Sequence, residues 1–172
     1  MKVLVVSDSH GDRAILVELI ERYKDKVDQL FHCGDSELDP TDPIWKSMLT
    51  VKGNMDFNAD YELTQLIDVK GERIFMTHGH HHDVNYSMQN LVYAAEEQNA
   101  QFAFFGHTHQ AGVEKINTIL VLNPGSISQP RGQYLIPTYA VIESNDQQIE
   151  VCYYNRAHKA IEELSCRFSK NG

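Results

Sequence analysis

Carboxylates and imidazoles recur along this chain in short clusters, and their types suit divalent metal ions. The clusters are Asp8-Ser9-His10, Gly34-Asp35, Gly53-Asn54-Met55-Asp56, His78-Gly79-His80-His81-His82 and Gly106-His107-Thr108-His109. Six of the nine histidines lie between His78 and His109. Taken singly, each cluster has an ordinary reading. An aspartate caps a helix, glycine-aspartate is turn vocabulary, and a histidine-rich loop can be solvated. Taken together, Asp8, His10, Asp35, Asn54, His78, His107 and His109 are the right number and type to hold two adjacent ions, with one carboxylate bridging them. Mixed imidazole and carboxylate oxygen suits Mn, Fe, Zn, Ni or Co better than calcium or a lone magnesium, and manganese is placed first.

Such residues can meet only if the elements between them bring them to one place. Lys2–Ser7 is a continuous apolar run of strand length, and Asp12–Lys24 carries Ile15, Leu16, Leu19, Ile20 and Tyr23 at helical spacing. Gln29–Cys33 predicts a second strand and Thr50–Lys52 the tip of a third, which is the βαβ pattern of a parallel sheet. Leu63–Val69 and Arg73–Thr77 flank Lys70-Gly71-Glu72 as a hairpin. Tyr86–Asn99 predicts a helix, and Phe102–Phe105 a buried strand. Two further hairpins are predicted, Val113–Ile116 with Ile119–Leu122 and Tyr139–Glu143 with Ile149–Tyr154. His158 is assigned to an exposed position on a C-terminal helix. No repeat or linker interrupts residues 1–172, so the expectation is a single α/β domain, a two-sheet sandwich with helices on the outer faces. Nearly every cluster follows a strand, and open α/β sheets collect ligands beyond the carboxyl ends of their strands.

Bulk properties exclude several classes. A net charge of -9 argues against a nucleic-acid binder with a broad basic face. It does not exclude a phosphate-directed enzyme, because bound cations invert the local field. No apolar run approaches the ~20 residues of a membrane span. Met1–Ser7 lacks the pattern of a secretory leader. Cys33, Cys152 and Cys166 are odd in number and form no CxxC pair, so three reduced thiols and a cytoplasmic address are expected.

The ordered set DSH, GD, GNMD, HGH and GHTH resembles the calcineurin-like metallophosphoesterase superfamily. The short chain, with NPGS at Asn123 to Ser126 and then SQPRG, resembles its small bacterial and archaeal phosphodiesterase branch, the YfcE-type enzymes. The resemblance implies one ion on Asp8, His10, Asp35 and His109, and a second on Asp35, Asn54, His78 and His107. It implies hydrolysis of a small phosphate ester, with hydroxide held between the ions attacking phosphorus in line. Many phosphatases of the superfamily carry a histidine as general acid where this chain has Met55, so phosphodiesters with good leaving groups are the expected substrates and a phosphomonoesterase is the alternative. Asn54, His80 and Arg131 are further catalytic candidates: Asn54 as a neutral ligand, His80 as a replacement acid and Arg131 as a phosphate contact. His81 and His82 are left to a surface loop, His32 to the core, Asp12 to a helix cap and Asp56 to its turn. Asn123 and the amides around Gly125 are expected to shape the metal-side wall. The rival from another class is a protein-interaction scaffold on the same fold, as in relatives of the retromer subunit Vps29. A di-iron redox protein and a metal-storage protein fit the strand-end placement less well. Homo-oligomerisation through edges of the late hairpins is left open.

Overall fold

The computed structural model describes residues 1–171. The N-terminal apolar run forms β1 (Lys2–Val6), buried at four of its five positions. Its residues alternate between two cores. Val3 and Val5 face a second sheet, whereas Leu4 and Val6 face the first helix. That helix, α1 (Arg13–Tyr23), starts where the Asp12 carboxylate accepts the Ile15 amide at 3.2 Å, an N-cap that satisfies an otherwise unpaired donor. It buries Ile15, Leu16, Leu19, Ile20 and Tyr23, the residues of the predicted apolar face.

β2 (Gln29–His32) and the two-residue β3 (Leu49–Thr50) add in parallel beside β1. The hairpin β4 (Thr64–Val69) and β5 (Glu72–Thr77) turns at Lys70-Gly71, as expected. Then follow α2 (Gln89–Glu97), β6 (Phe102–Phe104), β7 (Gly112–Ile116), β8 (Ile119–Asn123), β9 (Thr138–Ser144), β10 (Gln148–Asn155) and β11 (Cys166–Ser169). One sheet has the order β11-β10-β9-β1-β2-β3 and the other β4-β5-β6-β8-β7. Phe31, Met76, Phe104, Ile142 and Tyr153 fill the space between the sheets. α1 covers the outer face of the first sheet, and α2 packs on the outer face of the second through Leu91 and Val92 against Phe105 and Val121. This is the expected two-sheet α/β sandwich. Within the described residues no helix is long and apolar enough to cross a membrane.

Two expectations are corrected. His158 does not lie on a C-terminal helix. Residues 155–159 form a turn in which Asn155 Oδ1 accepts the amides of Ala157 and Lys159, and His158 has φ 61°. Its imidazole is tucked between the Tyr139 hydroxyl (2.8 Å) and the Glu18 carboxylate (2.6 Å), and strand β11 follows. The second helix is also shorter than Tyr86–Asn99. Tyr86 is exposed in the preceding turn, the Ser87 hydroxyl accepts the Gln89 amide instead, and Asn99 ends the helix at φ 55°.

Candidate metal centre

The carboxyl ends of β1, β2, β5 and β6, together with the turn after β3, lie along one edge of the sandwich. Asp8 and His10 follow β1, Asp35 follows β2, Asn54 lies in the turn, His78 follows β5, and His107 and His109 follow β6. One ligand-type atom from each of Asp8, His10, Asp35 and His109 falls within 4.8 Å of the other three. Asn54 Oδ1 stands 3.0 Å from both His78 Nε2 and His107 Nδ1, and His78 Nε2 is 3.2 Å from Asp35 Oδ2. His78 Nε2 also lies 3.8 Å from Asp8 Oδ1, which joins the two groups. All seven candidates therefore converge.

The backbone bends sharply to bring them there. Asp8, His10, Asp35, His107 and His109 have φ of 53°, 44°, 55°, 67° and 58°, in the left-handed region. Tight approach is also required of two glycines. A Cβ on Gly53 would collide with the Asp35 carboxylate, and one on Gly106 with Ser7 Oγ and the Asp8 carboxylate.

The outer nitrogen of each histidine is tethered, which decides what the inner one presents. His78 Nδ1 donates to the Cys33 carbonyl at 2.7 Å, and His109 Nδ1 donates to the Gln129 carbonyl at 2.7 Å. His10 Nδ1 meets the Glu37 carboxylate at 2.9 Å. His107 Nε2 instead accepts from the Asn85 amide NH2 at 3.2 Å, so the His107 proton sits on Nδ1, which donates to Asn54 Oδ1 at 3.0 Å. With Nδ1 carrying the proton, Nε2 offers a lone pair. His10 Nε2 and His109 Nε2 then face each other at 3.1 Å, and His78 Nε2 faces the Asn54 carbonyl oxygen at 3.0 Å. Acceptors this close need a cation or a proton between them. Asp8 Oδ1 is buried without a hydrogen-bond donor, 3.2 Å from His109 Nε2. Donor types, convergence and this orphaned oxygen all fit divalent metal ions.

The electrostatics of the bare cluster agree. Burial opposes ionisation of Asp8 and Asp35, yet the neighbouring histidines and hydrogen bonds outweigh it and hold both carboxyls below the ordinary range. Burial likewise opposes a charged His78, but Asp35 and Asp8 outweigh it and raise its pKa. Without metal, a proton on His78 does part of a cation's work. At His107, burial dominates and lowers the pKa.

The other candidates have distinct placements. His80 is half-buried, its ring centroid 5.4 Å from that of His78 and 6.1 Å from that of His107. Burial, then the surrounding histidines, lower its pKa to about 4. Arg131 is exposed, on a loop tied to the centre by its own amide, which donates to the His109 carbonyl at 2.9 Å. Met55 is exposed, with its amide donating to Asp35 Oδ1 at 2.7 Å. His32 is a core histidine, as expected, and Asp12 caps α1. His81 is exposed, but His82 is half-buried beside Phe75.

Two supporting residues, Glu37 and Asn85, escaped sequence reasoning, and two that it does single out, Asp56 and Asn123, brace the loops of the cluster. Glu37 and Asn85 tether His10 and His107. Asp56 does more than hold its turn. It accepts the amides of Asp35 and Gly53 through Oδ2 (2.8 and 2.7 Å) and that of Glu37 through Oδ1 (2.8 Å), locking two loops together. Asn123 Nδ2 bonds the Gly106 carbonyl and Thr108 Oγ1, so it braces the His107 loop from behind. A polar residue at the carboxyl end of an apolar strand was the available signal for Asn123. Glu37 and Asn85 had none.

Compared with known families, the chain matches the calcineurin-like phosphoesterase superfamily domain over residues 1–147. It belongs to that superfamily. Among the superfamily's members, the probable metallophosphoesterase YsnB of Bacillus subtilis is 38 % identical, over 97 % of this chain and 98 % of its own. The phosphodiesterase YfcE of Escherichia coli is 27 % identical, over 77 % of this chain and 82 % of its own. A crystal structure of a predicted phosphoesterase from Streptococcus pneumoniae superposes with a TM-score of 0.95 at 43 % identity, covering 98 % of this chain and 97 % of that one. The superfamily and fold implied by the five motifs are therefore those of this chain, and its candidate metal cluster lies on those motifs.

Proposed function

We propose that this phosphoesterase is a two-metal phosphodiesterase acting on small phosphate diesters with good leaving groups. The observation that carries the reading is the pair of facing acceptors, His10 Nε2 with His109 Nε2 and His78 Nε2 with Asn54 Oδ1, on either side of the buried Asp8 and Asp35 carboxylates. In this reading Asp8, His10, Asp35 and His109 hold one ion, and Asp35, Asn54, His78 and His107 hold the other, with manganese the first choice. Bound together, two such ions supply Lewis-acid stabilisation of phosphoryl oxygens and a water acidic enough to ionise near neutral pH.

The protein side of the reaction follows from the neighbours. Arg131 orients a phosphate oxygen from the loop bonded to His109, where a planar guanidinium matches phosphate geometry. His80 is the imidazole beside the leaving oxygen. With its pKa lowered to about 4 by burial and nearby histidines, it is neutral at pH 7 and offers an N–H hydrogen bond, not a full proton. Met55 offers no proton at all. Leaving alcohols that depart easily are therefore favoured, and monoesters of poor leaving groups are not. Three thiols outside any disulfide support a reducing, cytoplasmic setting.

The test is hydrolysis of bis(p-nitrophenyl) phosphate beside p-nitrophenyl phosphate, on metal-stripped protein with Mn²⁺ restored. Expected is metal-dependent diester cleavage that exceeds monoester cleavage and is lost in His109→Ala. Dominant monoesterase activity would reject the diester preference. No turnover of either ester with metals bound would favour the scaffold reading.

A further inference from the structure

We propose that a cleft behind His107 receives one ester group of the substrate, and that this group is uncharged and aromatic. The inference rests on the phosphodiesterase reading and adds a substrate class to it. The cleft, about 400 Å³, lies between the loop leading into α2 and the edge strand β7. That volume falls within the ~300–1,000 Å³ of ordinary small-molecule sites. Two of its lining residues border the candidate centre: Asn85, which holds His107 Nε2, and Thr108, between His107 and His109.

Its chemistry narrows the occupant. Met88, Phe105 and Val121, which pack together on the outer face of the second sheet, supply apolar walls, while the Asn85 and Gln110 side-chain amides among the lining residues supply hydrogen-bonding groups. Glu114 is the only charged residue among those lining the cleft, and no lysine or arginine joins it. A second phosphate or a carboxylate would be repelled there. A flat ring with polar edges, such as an aryl alcohol or a nucleobase, satisfies both the walls and the amides. The group bound at phosphorus and the group in the cleft would then belong to one diester bent around the His107 loop.

Gly112 makes the idea testable. It lines the cleft, a Cβ added to it would meet nothing within 4 Å, and its φ is not positive, so a larger side chain there fills space without straining the strand. In Gly112→Phe, the KM for bis(p-nitrophenyl) phosphate should rise at least about tenfold, a pocket-filling effect read as lost binding. The inhibition constant of inorganic phosphate, which has no ester arm, should stay unchanged. An unchanged KM overturns the proposal. So does a parallel rise in both constants, because the damage would then lie at the phosphate site. Glu114→Lys is the second variant. It should narrow the wild-type preference for bis(p-nitrophenyl) phosphate over an analogue bearing a carboxylate on one ring, and a preference left intact overturns the assigned charge. Wild-type protein that cleaves no diester would reject the underlying reading instead, before either variant is made.

Discussion

A residue with a Cβ held at positive φ costs of order 1–3 kcal/mol and persists only where its surroundings over-determine it. Five of the seven candidate ligands are held that way, and the bonds that hold them can be named. Ser126 Oγ donates to the Asp8 carbonyl at 2.8 Å, the Asp56 carboxylate accepts the Asp35 amide, and the Arg131 amide donates to the His109 carbonyl. Among the four candidate ligand imidazoles, His10 is the exception in its tether, the one whose outer nitrogen is held by a carboxylate. A carboxylate behind a ligating imidazole raises its basicity, and losing such partners typically costs ~10–100-fold in metal affinity. Glu37→Ala should therefore weaken Mn²⁺ binding by about that factor in competition dialysis, and Glu37→Gln, which keeps an acceptor, should recover part of it. The candidate ligands were legible because aspartate and histidine stand out at strand ends. Glu37 was not, since its link to His10 spans 27 residues and exposed glutamates are common.

Strand β2 carries a second consequence of burial. His32 Nδ1 accepts the Gly34 amide at 3.1 Å, so Nε2 carries the proton and faces Ser9 Oγ at 2.9 Å. A second proton would point Nδ1–H at the Gly34 N–H. Burial first, partly offset by Asp8 and Asp56, lowers the His32 pKa from 6.5 to about 4. The unfolded chain then binds more protons than the folded one between those values. The stability from keeping His32 neutral is thus complete above pH 6.5 and is lost as pH falls toward 4. At pH 5 the loss is about 2 kcal/mol. In urea unfolding of metal-free protein, the loss of stability between pH 7 and pH 5 should be smaller in His32→Gln than in the wild type by about that amount. At this scale most of the fold could be read in advance, because β1, α1 and the hairpins declare themselves by local periodicity. β11 and the His158 turn could not. The partner of His158, Glu18, lies 140 residues away, and alternate burial of Cys166 and Phe168 depends on pairing with β10.

For the molecule as a whole, the centre is a seam: Asp8, His10 and Asp35 come from one sheet, and His78, His107 and His109 from the other. Ions held across such a seam bind the folded sandwich and not the open chain. At a hundredfold excess over Kd they add ~2.7 kcal/mol, which for a domain of this size raises Tm by roughly 5–11 °C. Calorimetry with and without Mn²⁺ should show that rise, and His109→Ala should lose most of it. The sheet order has a different reach. β1 lies between β2 and β9, and its Lys2 pairs with Glu143. A ribosome adding ~5–20 residues per second takes roughly seven to thirty seconds to travel from the first of these residues to the second. Throughout that interval the strand that leads to Asp8 has one side uncovered. His107 and His109 are themselves made only in the later part of it. The nascent chain thus acquires its candidate acidic ligands early and the last of its candidate histidines late, so the proposed centre is complete and held only when the last neighbour of the first strand arrives.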